Sequence, residues 1–178
     1  MRGEIAFEEA LKERVGLLKG LDADALQKLC DRITLVPGAR ELVATMRANG
    51  AYCALVSGGF TFFTERIAAR LGFHSHRANT LDIVNGRLTG TVSPPILGRE
   101  AKLDALLRLR RKLKLQPEET LAVGDGANDL DVIRAAGLGV AFRAKPIVAA
   151  EAKASIRHGD LTALLYLQGY RKSEFVSS

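Results

Sequence analysis

Residues 121 to 133 read Leu-Ala-Val-Gly-Asp-Gly-Ala-Asn-Asp-Leu-Asp-Val-Ile. The apolar run at 121–123 is typical of a short buried strand. The glycines on either side of Asp125 permit a tight turn, and the apolar residues that follow recur at helical spacing. Two carboxylates, those of Asp125 and Asp129, therefore follow the carboxyl end of a strand, which is where open α/β sheets bind ligands.

A loop of this composition suits either an ordinary turn or a metal site. Turns favour Gly, Asp and Asn for conformational reasons, and an isolated Gly-Asp-Gly would be explained in that way. Carboxylate oxygens are also the ligands that Mg²⁺ prefers, commonly together with a substrate phosphate. Because the whole string lies between a predicted strand and a predicted helix, the sequence favours the functional interpretation.

Size and composition indicate a globular protein with one domain and at most a small appendage. The chain has 178 residues, of which 47% are hydrophobic and 26% charged, and this is enough for a sizeable core. No apolar run is long enough to span a bilayer, and the N-terminus lacks the apolar core of a signal peptide. The two cysteines, Cys30 and Cys53, are interpreted as buried thiols. We therefore expect a cytoplasmic protein with no membrane partner.

The formal net charge is +6, and much of it comes from one cluster of cations, Arg108, Arg110, Arg111, Lys112 and Lys114. These cations alternate with leucines that share one helical face, as in a packed helix with a solvated outer side. Aromatic residues make up 6% of the chain, and none is interleaved with the cluster for base stacking. We therefore expect no nucleic-acid partner.

The order of predicted elements favours an α/β fold. Residues 1–35 carry helical patterns alone, and helices alternate with strands from Pro37 onward. Such alternation implies a parallel sheet with helices on both faces. The predicted organisation is a partial helical cap at 1–35 and a Rossmann-like core at 36–178. The predicted strands are 52–56, 78–91 with a hairpin turn at Asn85-Gly86, 121–123 and 138–142.

Two further positions carry groups that suit a phosphate. Ser57-Gly58-Gly59 ends a strand and opens a helix, so a hydroxyl, an amide and a positive helix end together form a phosphate cradle. Lys102, in the first turn of its helix, can neutralise a phosphoryl oxygen. Each has a plainer explanation when taken alone: a helix-capping serine and a solvated lysine. The order Ser57, Lys102 and then 124–129 favours the functional interpretation.

That order resembles the second, third and fourth motifs of haloacid-dehalogenase-like phosphatases. Within that superfamily, four strings are similar to the phosphoserine phosphatase family, at 55–60, 85–90, 123–129 and 142–146. Residues 2–19 are similar to part of the helical cap of those enzymes.

The resemblance implies hydrolysis of O-phospho-L-serine to L-serine through an aspartyl-phosphate, with Mg²⁺ as cofactor. It implies that Ser57 and the Gly58 amide bind phosphate oxygens. Lys102 would balance the charge of the phosphoryl group, and both Lys102 and Asp129 would serve in catalysis. Asp125 would ligate Mg²⁺. Supporting roles in the metal and phosphate site would fall to Asn128 and Asp129.

Two cap residues would recognise the rest of the substrate. The resemblance implies that Phe7 helps to close the cap and that Arg14 binds the substrate carboxylate. The two residues are seven apart and hence on one helical face, and a guanidinium pairs well with a carboxylate. The alternative is an arginine that lays its stem along the core edge and keeps its charged head in water.

The family's nucleophile motif is absent from this sequence. The chemistry requires Asp-x-Asp-x-Ser/Thr at the end of the first strand, where the first aspartate attacks phosphorus and the second acts as acid and then base. Asp129-Leu130-Asp131 belongs to the fourth motif. Since Met1 matches the interior of the family's cap, we expect the central first strand and the amino-group-binding glutamate to be missing. The strands at 52–56 and 121–123 would then have unpaired edges.

A fragment, a misassigned start, a split enzyme completed by another segment or a second chain, and a decayed remnant all fit this departure. One interpretation is the C-terminal part of a phosphoserine phosphatase, inactive as given. The other is a non-catalytic phosphate- or phosphoserine-binding protein that uses Ser57, Lys102 and Asp125. A phosphatase or phosphotransferase for another small phosphate ester is a third possibility, which the signature at Phe7 and Arg14 disfavours.

Overall fold

The computed structural model describes residues 2–176, with side chains described from Phe7 onward. These residues form two compact units. One comprises residues 2–98 with 175 and 176, and the other is Arg99–Glu174. Within residues 2–176, no helix has the length and apolar character that crossing a bilayer requires.

The first unit combines helices with a mixed three-stranded sheet. Strand β1 runs parallel to β2, and β2 is antiparallel to β3. Its elements are α1 (Arg2–Gly16), α2 (Asp24–Asp31), α3 (Ala39–Ala48), β1 (Ala54–Phe60), α4 (Thr61–Leu71), β2 (Ser75–Val84) and β3 (Arg87–Ser93).

The β2–β3 hairpin turns at the predicted Asn85-Gly86. Both residues have positive φ, 50° and 73°, which a two-residue turn of this hand requires and which Asn-Gly adopts readily. A core cluster of this unit joins Val15, Leu26 and the hairpin residues Leu81 and Leu88. Helices α1 and α2 therefore pack their apolar faces on the hairpin.

Strand β1 contains a bulge. Val56 pairs with Arg77 and Phe60 with Asn79, so four steps along β1 correspond to two along β2. The two additional residues remove 57–59 from the regular ladder. The sequence predicted a strand that ends at Val56, whereas pairing with β2 resumes after the bulge and carries the strand to Phe60.

The second unit contains a parallel three-stranded sheet in the order β4–β5–β6. Helix α6 lies so close to β5 that a Cβ atom at Gly139 would be 2.0 Å from the Ile133 carbonyl oxygen. The elements are α5 (Glu100–Leu113), β4 (Leu121–Gly124), α6 (Leu130–Ala135), β5 (Leu138–Phe142), α7 (Pro146–Glu151), β6 (Ala154–Ile156) and α8 (Ala163–Leu167), with short 3₁₀ turns at Pro117–Glu119, Ala127–Asp129 and Lys172–Glu174.

The predicted α/β class is confirmed, because parallel strands alternate with helices along β4–α6–β5–α7–β6. Strands β1 and β4 each lie at the edge of their own sheet. Every residue of these two strands is half-buried, whereas Val140 and Ala141 in the middle of β5 are fully buried. The division at residue 35 into cap and core stays a prediction.

Candidate active site

Asp129 is the last residue of the loop that follows β4, and it is 3% exposed. One carboxylate oxygen, Oδ1, accepts a short hydrogen bond from Lys102 Nζ. The other, Oδ2, accepts from the backbone N–H groups of Asp125 at 3.2 Å and Gly126 at 3.1 Å. Because both oxygens are engaged inside the protein, Asp129 organises the loop and orients Lys102.

The glycine before Asp125 is required by packing. A Cβ atom at Gly124 would lie 2.3 Å from Asp129 Cβ and 2.4 Å from its Cγ. A Cβ atom at Gly126 would meet Asn128 Oδ1 at 2.4 Å, which is the far end of a side chain. Because the two glycines have no side chains, the loop packs closely around Asp129. The Asp129 N–H closes the loop by donating to the Gly126 carbonyl at 2.9 Å.

Asp125 and Asn128 are both exposed on this loop. Within residues 2–176, no group donates a hydrogen bond to the Asp125 carboxylate and no cation pairs with it, so that carboxylate is available to a ligand. The same residues contain no cluster of three or more His, Cys, Asp or Glu that could hold a metal. Mg²⁺ commonly takes one or two carboxylates together with water and substrate phosphate. Asp125 fits as one such ligand, whereas both oxygens of Asp129 already accept hydrogen bonds within the protein.

Helix α5, which carries Lys102, is anchored to α6 beside the lysine. Arg99 donates two hydrogen bonds of 2.6 Å to the two carboxylate oxygens of Asp131. These bonds hold the pKa of Asp131 below its ordinary value. Residue spacing does not mark this pair as part of the site, although Asp131 lies within the 121–133 stretch.

Ser57 lies in the β1 bulge, where its Oγ accepts a 3.0 Å hydrogen bond from the Gly59 N–H. The hydroxyl hydrogen is not used in that bond and remains able to donate to an anion. The Phe7 ring borders the same bulge, since a Cβ atom at Gly58 would be 3.7 Å from Phe7 Cζ. The structure thus brings Phe7 next to Gly58.

Arg14 lies beside the buried face of α1 and is not part of it. The residue of α1 that packs in the core is its neighbour Val15, at 2% exposure, with Leu11 and Leu18 packed against the same cluster. Arg14 is exposed at the edge of that stripe. Its guanidinium is accessible to a ligand.

The predicted site residues are divided between the two units. The first unit contains Phe7, Arg14, Ser57 and Gly58, and the second contains Lys102, Asp125, Asn128 and Asp129. Sequence reasoning also missed Asn79, a fully buried residue that hydrogen-bonds to the bulge. Asn79 alternates with Leu81 along β2, and both are buried. A polar residue on the same side of a strand as an apolar one was the signal that could have identified it.

Comparison with known proteins identifies the family. The family model of haloacid dehalogenase-like hydrolases matches residues 1–134. The chain is 45% identical over 174 residues to a phosphoserine phosphatase of Streptomyces coelicolor, and the match covers 98% of this chain and 42% of that protein. The chain therefore spans less than half the length of that relative.

Solved structures agree with this relationship. A probable phosphoserine phosphatase from Vibrio cholerae has a TM-score of 0.88 and 40% identity, covering 91% of this chain and 50% of that one. A structure described as a phospho-aspartyl intermediate analogue of phosphoserine phosphatase has a TM-score of 0.85 and 38% identity, covering 90% of this chain and 77% of that one. The chain belongs to the haloacid dehalogenase-like hydrolase family.

Proposed function

We propose that this chain is the C-terminal portion of a Mg²⁺-dependent phosphoserine phosphatase, which converts O-phospho-L-serine and water to L-serine and phosphate. The observation that carries the proposal is the pairing of Lys102 with Asp129 beside the exposed carboxylate of Asp125. Phosphoryl transfer depends on fixed charges around the transferred group more than on covalent help from the protein. The similarity to phosphoserine phosphatases over nearly the whole chain supports the choice of substrate.

The second unit would supply charge. Lys102 donates to a phosphoryl oxygen and offsets its negative charge, and Asp129 keeps the ammonium group oriented. Asp125 would hold Mg²⁺, and Asn128 offers its side-chain amide to the phosphate. When bound, Mg²⁺ supplies positive charge to the phosphoryl oxygens.

The first unit would supply substrate recognition. The Ser57 hydroxyl and the Gly58 amide donate to phosphate oxygens. Arg14 pairs with the carboxylate of the serine moiety through two parallel N–H donors. Phe7, a residue that is 37% exposed, covers the substrate and excludes water.

The attacking carboxylate would come from a complementing segment or a second chain. In the relatives' aspartyl-phosphate route, an aspartate oxygen bonds to phosphorus, the bond from phosphorus to the serine oxygen breaks, and that oxygen takes up a proton. Water, losing a proton to the second aspartate, then attacks phosphorus, and the bond from phosphorus to the first aspartate breaks, which releases phosphate and restores that carboxylate. Ser57 is a poor substitute nucleophile because it needs a base, and two histidines near its strand are committed elsewhere. His74 Nδ1 accepts from Cys53 N–H, and His76 Nδ1 bonds to Thr64 Oγ1.

The deciding experiment compares three purified proteins for phosphate release from O-phosphoserine with Mg²⁺. They are the 178-residue chain, the chain extended upstream by a strand with Asp-x-Asp-x-Ser/Thr, and the extended chain with the first of those aspartates changed to Asn. We expect turnover from the extended chain alone. Robust turnover by the 178-residue chain would overturn the proposed origin of the nucleophile.

Binding without hydrolysis is the second candidate function, because the phosphate-binding groups are present without the nucleophile motif. In that case the extended chain stays inactive while calorimetry detects O-phosphoserine binding to the 178-residue chain. A cytoplasmic location is part of the main proposal. The free thiols Cys30 and Cys53 support it, since a reducing compartment preserves unpaired cysteines.

A further inference from the structure

Asn79 is a polar residue in the interior of the first unit, with 1% of its surface exposed. Its Nδ2 donates to the Gly58 carbonyl at 3.0 Å and to the Leu97 carbonyl at 3.4 Å. Its Oδ1 accepts from the Leu97 N–H at 2.6 Å. A buried amide with both of its ends satisfied in this way has a defined orientation.

The β1 bulge explains why a side chain is needed at this place. A bulge takes residues out of the strand ladder, and their buried backbone groups then need other partners. Asn79 pairs with Phe60, where the ladder resumes. From that position its side chain supplies the hydrogen bond to the Gly58 carbonyl that a regular ladder would otherwise provide.

Fixing the Gly58 carbonyl also fixes groups that face a ligand. The Gly58 carbonyl and the Gly59 N–H belong to one planar peptide group, so the orientation of one determines that of the other. The Gly59 N–H donates to Ser57 Oγ at 3.0 Å. By holding the Gly58 carbonyl, Asn79 therefore also sets the direction of the Gly59 N–H that bonds to the Ser57 hydroxyl.

The same side chain also fixes the segment at Leu97 and Gly98. A Cβ atom at Gly98 would be 3.7 Å from Phe7 Cδ1, and one at Gly58 would be equally close to Phe7 Cζ. The Phe7 ring therefore borders two backbone segments, one at Gly58 and one at Gly98. Asn79 bonds directly to Gly58 and to Leu97, the neighbour of Gly98.

We propose that Asn79 is a positioning residue, which sets the direction of the Ser57 hydroxyl and the Gly59 peptide and thereby the affinity of the 57–59 bulge for phosphate. The affinity part rests on the proposed function, whereas the positioning part concerns the free protein. Asn79 itself contacts backbone and need not touch the ligand.

The test uses the full chain with Asn79→Ala and Asn79→Asp, and with Thr64→Val as a matched control. Thr64 is also a buried polar residue of the first unit, at 7% exposure, and its hydroxyl bonds to His76. The first readout is the position of the Gly58 carbonyl carbon and Gly59 amide resonances in the free proteins. The second is the dissociation constant of inorganic phosphate, followed at the same amides.

We expect both Asn79 variants to move the Gly58 and Gly59 resonances and to bind phosphate about tenfold more weakly, as the loss of one hydrogen bond implies. Asn79→Asp retains an acceptor for the Leu97 N–H, so the Leu97 amide resonance should stay near its wild-type position even if Asn79→Ala folds poorly. Thr64→Val should leave the Gly58 and Gly59 resonances unchanged.

Unchanged Gly58 and Gly59 resonances in a folded Asn79 variant would overturn the positioning role. An equal effect from Thr64→Val would overturn it as well, since the cause would then be general destabilisation. If the wild-type protein shows no response to phosphate at residues 57–59, the phosphate-binding function fails. The comparison of free proteins still decides the positioning role in that case.

Discussion

Lys102 and Asp129 form an ion pair in which the two side chains are only 17% and 4% exposed. Removing charges from water is costly, and replacing such a pair with apolar residues is often neutral or stabilising. Stability is therefore a weak explanation for the pair. Its value lies in holding an ammonium group in one orientation at the carboxyl end of a parallel strand.

Breaking this pair should destabilise the second unit. Asp129→Asn leaves the Lys102 charge largely buried without its partner, and we expect the free energy of unfolding to fall by about 3 kcal/mol. Urea denaturation followed by circular dichroism measures the change. Asp125→Asn is the control. Because Asp125 is exposed, this variant should have the same free energy of unfolding as the wild type. Equal unfolding of both variants would contradict the structural role of Asp129.

Substitution by alanine should destabilise the protein more at Gly124 than at Gly126. In Gly124→Ala the new methyl group meets Asp129 Cβ at 2.3 Å, an atom that cannot move without its backbone. We expect a loss of about 1–3 kcal/mol in the free energy of unfolding. Gly126→Ala meets the end of the Asn128 side chain, which can rotate away, so the loss should be smaller. Thermal unfolding of the two variants measures the difference. A larger loss in Gly126→Ala than in Gly124→Ala would refute this account.

Substitution of Asp125 should abolish metal binding with little effect on folding. Asp125→Asn removes a charged oxygen that Mg²⁺ requires, and titration calorimetry with Mg²⁺ and phosphate together should lose its heat signal. The matched control is Asp104→Asn, which removes another exposed carboxylate of the same unit. If Asp125→Asn retained its affinity for Mg²⁺, the metal would bind at another place in the protein.

Arg14 should discriminate between substrates in the active, extended protein. Arg14→Ala should lower kcat/KM for phosphoserine about tenfold or more relative to phosphoethanolamine, which lacks the carboxylate, because a charged hydrogen bond is lost with one substrate only. Lys12→Ala removes another exposed cation from α1 and should affect both substrates equally. Equal losses for Arg14→Ala would instead indicate that Arg14 supports folding.

The Arg99–Asp131 contact should make stability depend on pH. Hydrogen bonds from Arg99 lower the pKa of Asp131 in the folded protein. The contact therefore stabilises the fold above the ordinary aspartate pKa of about 3.9, and it is lost as the pH falls through the folded value. Asp131→Asn should cost about 1 kcal/mol at neutral pH, and the difference from wild type should vanish in acid. A difference independent of pH would refute this assignment.

Local signals predicted much of the fold. Glycine placement and residue spacing were sufficient for the β4–loop–α6 unit and for the hairpin at Asn85-Gly86, because both depend on neighbours in sequence. Strand β6 was missed since its three residues, Ala154–Ile156, are too few for a pattern. The bulge in β1 depends on pairing with β2 and has no local signature.

The charged candidates for the site can be named from the sequence, whereas the residues that hold the neighbouring backbone in place cannot. Asp125 and Lys102 stand out as residue types in a motif, whereas Asn79 acts on Gly58 from 21 residues away. The Arg99–Asp131 contact likewise spans 32 residues. Whether a buried amide finds a partner at such a separation is decided by tertiary packing, which residue spacing does not encode.

Asp129 closes the 124–129 loop by accepting two N–H groups from that same loop. The loop thus has its shape before any ligand arrives, and binding there requires little ordering of the chain. Ordering each backbone residue costs roughly 1–2 kcal/mol in conformational entropy. We therefore expect a cation that binds at Asp125 to avoid most of that cost, because the hydrogen bonds of Asp129 have already ordered the loop.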